Sequence, residues 1–181
     1  MLTAAAAPLW AAQGDTRLGL FFGSTSMRAG GKTTTGSALG VGWGLEISEA
    51  LVWSIAAIRA TTDATETVAG QEVRFTADTT TLQTGLTRFF RNSRSFVPFV
   101  GAGLSVASYD VDFSADPNSE IGSSSGTAGG VFARAGFEFR MSPSFTIIPQ
   151  YQFSAHSIRN DQGGSSTLVS DGLLLTLRLA V

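Results

Sequence analysis

The sequence predicts an all-β fold, an eight-stranded antiparallel up-and-down transmembrane β-barrel over residues 15–181. Three observations carry this: a strand-like composition, a side-chain period of two that recurs along the chain, and connections that alternate between tight and long. Of the 181 residues only 14 % are charged, 12 Lys and Arg against 14 Asp and Glu, where soluble domains carry about 25 %. There are 21 Gly and 13 Phe, Ser and Thr are plentiful, Lys32 is the single lysine, and strong helix formers are few. Such a composition suits strands.

Composition also excludes whole classes of function. A formal net charge of −2 leaves no basic surface for a phosphate backbone, so nucleic acid is not an expected partner. One histidine, His156, and no cysteine leave no zinc, haem or iron–sulfur site, so neither metal nor cofactor is expected. Nor is there a disulfide framework.

Residues 1–14 read as a residual signal peptide or disordered leader. Leu2 to Ala12 is apolar, and Ala4 with Ala6, or Leu9 with Ala11, satisfies an A-x-A type cleavage rule, although no Lys or Arg precedes them. The stretch is shorter than the about 20 residues a spanning helix needs. No other long apolar run follows, so a membrane protein with this sequence must be a barrel.

The strands follow in order. The first sets Leu18, Leu20 and Phe22 against Arg17, Gly19 and Gly23. The second runs from Ser37 to Ser48, with Leu39, Val41, Trp43, Leu45 and Ile47 opposite Gly40, Gly42, Gly44 and Glu46, a period of two without an error. The third is ambiguous, because Leu51, Trp53, Ile55 and Ala57 face Val52, Ser54, Ala56 and Ile58. In the fourth, Leu82, Leu86 and Phe90 oppose Gln83, Gly85 and Thr87, with Arg88 on the apolar parity. Pro98 to Val106 form the fifth against Gly101, Gly103 and Ser105. The sixth sets Val131, Ala133, Ala135, Phe137 and Phe139 against Gly130, Arg134, Gly136, Glu138 and Arg140. The seventh sets Phe145, Ile147, Pro149, Tyr151 and Phe153 against Gln150, Gln152, Ser154 and His156. The eighth sets Leu173, Leu175, Leu177, Leu179 and Val181 against Thr176, Arg178 and Ala180.

Connections after the second, fourth and sixth strands are tight, around Ser48 to Ala50, Arg91 to Ser95 and Ser142 to Ser144. Those after the first, third, fifth and seventh are long and polar: Ser26 to Gly36, Thr61 to Glu72, Asp116 to Thr127 and Ile158 to Ser170. Short turns on one side and four long loops on the other are the layout of an outer-membrane barrel. Size then assigns the faces. An eight-stranded lumen holds only side chains, and five large apolar residues per strand would overfill it, so the apolar parity meets lipid and the glycine-rich, polar parity lines the interior. Aromatics gather beside the short turns as an interfacial girdle: Trp53, Phe90, Phe96, Phe139 and Phe145, with Phe89, Phe99 and Phe137.

From residue 15 to 181 the chain resembles the small bacterial outer-membrane barrels of the OmpA, OmpX and opacity-protein type. The resemblance rests on Val97-Pro98-Phe99-Val100-Gly101-Ala102-Gly103-Leu104, on Ala135-Gly136-Phe137-Glu138-Phe139-Arg140 running through Ser142 and Pro143 into Pro149-Gln150-Tyr151-Gln152-Phe153, and on the terminal alternating strand. It implies a monomer with a polar lumen and at most small or gated conductance, serving envelope integrity, adhesion, or interaction with a host or phage ligand. Outer-membrane lipid, lipopolysaccharide and the barrel assembly machinery are the implied partners. Such barrels resemble one another in ending on an aromatic residue; this chain ends on Val181, a departure that weighs on assembly and not on fold.

Several polar residues of the lumenal parity fall near the turn side. Arg178, Arg17 and Glu46 lie on neighbouring strands and are expected to form one ion-pair network that plugs the lumen, extended by Arg134, Glu138, Arg140, Gln150 and Gln152. His156, Ser157 and Asp161 or Asp171 have the composition of a hydrolytic triad, and lipid A deacylases are barrels that use His, Ser and Glu. Parity separates His156 from Ser157, however, and the His-x-Ser-Asn pattern of that family is absent. No catalytic residue is expected; a lipid-modifying enzyme and a narrow channel are the alternatives, with His156 a histidine at the outer rim. Gly30-Gly31-Lys32-Thr33 lacks the earlier glycine of a phosphate-binding loop, since Ser26 stands there. Asp110, Asp112, Asp116 and Glu120 lack the spacing of a calcium loop and read as a solvated loop, with cation bridging to lipopolysaccharide phosphates as the alternative.

Overall fold

A strand with one apolar face cannot be stable alone, and a spanning sheet cannot leave an edge in lipid. The chain meets both demands by closure. The computed structural model describes residues 16–29, 32–68, 71–91, 96–116, 119–159 and 165–180. Its strands are β1 (Thr16–Ala29), β2 (Lys32–Ser48), β3 (Leu51–Val68), β4 (Gln71–Phe89), β5 (Phe96–Asp116), β6 (Ser119–Arg140), β7 (Phe145–Arg159) and β8 (Ser165–Ala180). Each pairs antiparallel with its chain neighbours, and β1 also pairs with β8 through Arg17↔Ala180 to Arg28↔Val169.

The register fixes the shape. Following partners from Arg28 through Val169, Ala155, Val131, Leu104, Thr84, Ile55 and Trp43 returns to β1 at Leu18. That displacement of ten residues over eight strands, at about 3.3 Å per residue and about 4.8 Å between strands, sets a tilt of roughly 40°.

The two parities have opposite surroundings. Leu39, Leu104 and Leu173 are 67 %, 66 % and 65 % exposed, and the same outward face carries Leu18, Leu20, Val41, Leu82, Val100, Val131 and Tyr151. A continuous apolar belt of this extent has no place in water. Inward lie Phe21, Val52, Phe89, Val97, Phe99, Phe132 and Ile148 together with Arg17, Glu46, Gln83, Arg134, Glu138, Gln150, Gln152 and His156, all buried. On β3 the sequence left the face open. Pairing decides it: Val52, Ala56 and Ile58 point inward and Trp53 and Ile55 outward, because a one-residue slip would invert every contact with β2 and β4.

Two expectations are corrected, and the third case, Arg88, keeps the parity read from the sequence. The polar segments expected as long loops are largely strand: β1 and β2 pair to Ala29↔Lys32, β3 and β4 to Val68↔Gln71, β5 and β6 to Asp116↔Ser119, and β7 and β8 to Arg159↔Ser165. Thr is a good strand former, and pairing with a neighbouring strand carries the interspersed Ser, Gly and Asp into the ladder; polarity alone does not signal irregularity. Phe89 and Phe99 are not on the outer girdle; they face inward, ring centroids 5.3 Å apart, in a buried cluster with Val52, Val97 and Ile148. Arg88, on the apolar parity, points outward with its guanidinium 5.9 Å from the Phe90 ring, near the turn end, where a long side chain reaches the interface.

Candidate functional site

The lumenal polar residues arise from the inward parity of all eight strands. Nearest the short turns, Glu46 of β2 accepts from Arg17 of β1 at 2.5 Å and from Arg91, just past β4, at 2.6 Å. Glu138 of β6 accepts from Arg140 at 2.8 Å, from Arg178 of β8 at 3.1 Å and from Arg17 at 3.4 Å. Both carboxylates are buried, and Arg17 bridges them. The guanidinium groups of Arg91 and Arg178 lie 5.5 and 5.6 Å from the centroid of the Phe89 ring, so the ion pairs rest on the apolar cluster.

Other residues expected in this network are in the lumen but do not reach the carboxylates. Arg134 donates through Nη2 to Thr87 at 2.6 Å and Ser54 at 2.7 Å, with its guanidinium 5.6 Å from the Phe132 ring centroid. It stands four residues before Glu138, roughly 13 Å along the strand, beyond the span of the ion pairs. Gln150 and Gln152 are buried beside it, and Gln150 Nε2 and Gln152 Oε1 have no hydrogen-bond partner among the described residues. Arg91 is not in the network expected from the sequence, because Arg91 to Ser95 reads there as a tight turn. The signal that finds it is parity carried one step past Phe89.

His156 is buried, with Nε2 3.0 Å from Ser105 Oγ, and is not at the rim, since the strands continue beyond it to Arg159. Ser157 is exposed on the other face. Asp171 points outward, accepting from Tyr151 Oη at 2.7 Å, Ser26 Oγ at 3.0 Å and Arg28 at 3.3 Å. Asp161 lies outside the described residues. No His-Ser-Asp grouping is assembled among the described residues. Asp110 and Asp112 are exposed on β5, the side chains of Lys32, Asp116 and Glu120 lie outside the described set, and among the described residues no three acidic or histidine side chains converge on a metal position.

A family model described as outer membrane protein beta-barrel domain matches residues 1–171. The chain belongs to that family. It is an integral outer-membrane β-barrel. Solved structures of the same fold include Neisserial surface protein A (TM-score 0.64, 14 % identity, covering 92 % of this chain and 97 % of that one) and OprG from Pseudomonas aeruginosa (TM-score 0.55, 12 % identity, 96 % and 99 %). Another is Ail, the attachment invasion locus protein of Yersinia pestis (TM-score 0.53, 12 % identity, 93 % and 100 %). No curated protein shows significant sequence similarity to the chain.

In this outer-membrane barrel the aromatics named from the sequence sit near the turn side. Trp53, Phe90, Phe96 and Phe139 are exposed outward, Phe145 is half-buried, and Phe96 stacks on Phe137 at 4.5 Å. Trp53 packs edge-on against Trp43 and donates its indole Nε1–H to Thr84 Oγ1 at 3.1 Å, satisfying a hydroxyl within the apolar belt. Trp53→Phe is expected to cost about 1 kcal/mol, the net worth of such a bond. In a double-mutant cycle with Thr84→Val, read by urea unfolding in detergent micelles, the second substitution should then add little.

Among the described residues, two small cavities lie in the lumen of the barrel. One, of about 40 Å³, is lined by Gln83, Gln152, Ser154 and Thr79; the other, of about 30 Å³, lies nearer the ion pairs beside Arg17, Arg134 and Arg178.

Proposed function

We propose that this barrel is a structural and adhesive protein of the outer-membrane surface. The ion-paired, aromatic-packed lumen plugs and stiffens it, and its polar hairpins make its contacts. One observation carries the reading: the strands remain paired far beyond the apolar belt. On β3 the last outward apolar residue is Ala57, yet pairing with β4 continues to Val68↔Gln71, eleven residues on. At this strand tilt that is a polar ribbon standing roughly 30 Å above the belt. Its outward face carries Thr61, Asp63, Arg74 and Asp78, linked by exposed Arg59–Asp78 and Arg74–Asp63 pairs. Isolated exposed pairs add little stability, which leaves these charges available for recognition. The partners are lipopolysaccharide beside the hairpins, the assembly machinery during insertion, and a host or phage ligand at the tips. The barrel acts as a monomer. It is not an enzyme in this reading, which the separation of His156, Ser157 and Asp171 supports.

The test is attachment. Bacteria displaying the barrel are expected to bind cultured epithelial monolayers, and replacing Thr62–Ala77 by a two-residue turn should abolish binding while the unboiled protein still migrates faster than the boiled one on a denaturing gel. Equal attachment of the two strains, or none by either, overturns the adhesive reading. In planar bilayers the plugged lumen should pass current indistinguishable from the protein-free membrane. Stable single-channel steps would favour the narrow-channel alternative, and a changed lipid A profile on overexpression the enzymatic one.

A further inference from the structure

The two lumenal cavities differ in the chemistry they present. The outer one exposes unpartnered acceptors, Gln83 Oε1 and Gln152 Oε1, which suit water. The inner one, of about 30 Å³, is lined by Arg17, Arg134, Arg178, Gln150 and Thr176, and none of its lining residues is acidic. The buried polar atoms left there without a partner among the described residues are Arg17 Nε, Gln150 Nε2 and Thr176 Oγ1. The two nitrogens are donors and the hydroxyl can be one.

Charge agrees with the donor pattern. Arg17 and Arg178 already direct other guanidinium nitrogens at Glu46 and Glu138 on the turn side. Arg134 is held by two hydroxyls, and no carboxylate lies within ion-pair distance of it among the described residues. A buried cation without a counter-charge inside a low-dielectric wall is unfavourable. We infer that the inner lumenal cavity binds one small monovalent inorganic anion, of the halide class, held by Arg134, Arg17 Nε–H, Gln150 Nε2–H and the Thr176 hydroxyl. The volume admits one or two water-sized particles, which excludes organic acids. The site is independent of what the outer hairpins recognise.

The experiment compares the folded barrel in detergent in sodium chloride and in sodium gluconate at equal ionic strength, since gluconate is too large for the cavity. The thermal unfolding midpoint is expected a few degrees higher in chloride, as for any ligand that binds only the native state. The difference should vanish in Arg134→Gln. Equal midpoints for the unaltered barrel, or a chloride effect that survives in R134Q, overturn the inference. Should R134Q fail to fold, crystals of the unaltered protein grown in sodium bromide decide the matter: an anomalous peak within hydrogen-bonding distance of Arg134 and Gln150 supports the site, and a cavity holding only water overturns it.

Discussion

Glu138→Gln is expected to lower the unfolding free energy of the barrel by about 3–5 kcal/mol, the usual cost of removing one partner from a buried ion pair. Glu138 is fully buried and accepts from Arg140, Arg178 and Arg17. Without it Arg17 keeps Glu46, but Arg178 keeps no carboxylate among the described residues. The order of effects is therefore set by what each change strands. Arg178→Gln leaves Glu138 with two guanidinium partners and should cost less, about 1–2 kcal/mol. Arg28→Gln, which removes an exposed guanidinium from Asp171 while Tyr151 and Ser26 still donate to that carboxylate, should stay within about 0.5 kcal/mol. Urea unfolding in lipid vesicles measures all three, and equal midpoints for E138Q and R28Q would refute the network.

The second large effect is steric. Gly103 of β5 and Gly85 of β4 are paired on the lumenal face, and Phe132 of β6 lies over both. A Cβ at Gly103 would stand 2.5 Å from Gly85 Cα and 2.8 Å from Phe132 Cε1, and closer still to the Thr84 carbonyl oxygen. Two of these three neighbours are backbone and cannot rotate away, so Gly103→Val must spread the β4–β5 ladder. Overpacking of this kind costs about 3 kcal/mol or more. The expected outcome is loss of the fast-migrating unboiled band. Gly129→Ala is the control: its Cβ would meet nothing within 4 Å, and its unfolding midpoint should be unchanged within error.

Much of the wall was legible because its signal is local. Period-two alternation in β2, β5, β6, β7 and β8 assigns a face to each residue without knowledge of any partner, and tight turns at Glu49–Ala50 and Met141–Ser144 show which strands adjoin. Where both parities are apolar, as in β3, or where polarity resembles a loop, as in Thr61 to Glu72, the local signal fails. Cross-strand pairing then decides. The lumen was legible only in part for the same reason. Inward parity names Arg17, Glu46, Arg134, Glu138 and Arg178, but which of them touch depends on stagger around the closed sheet. Arg91, beyond the end of its strand, entered the network only through that stagger.

The sequence by itself determined an all-β, outer-membrane barrel with an apolar outside and a glycine-rich, polar inside, since side-chain alternation and turn spacing are properties of the chain taken one strand at a time. Only the tertiary structure decided which charges meet, where Phe89, Phe99 and Phe132 find room, and how far the hairpins stand above the belt. These depend on the ten-residue stagger of the closed barrel, a sum of eight pairing registers that no single strand encodes.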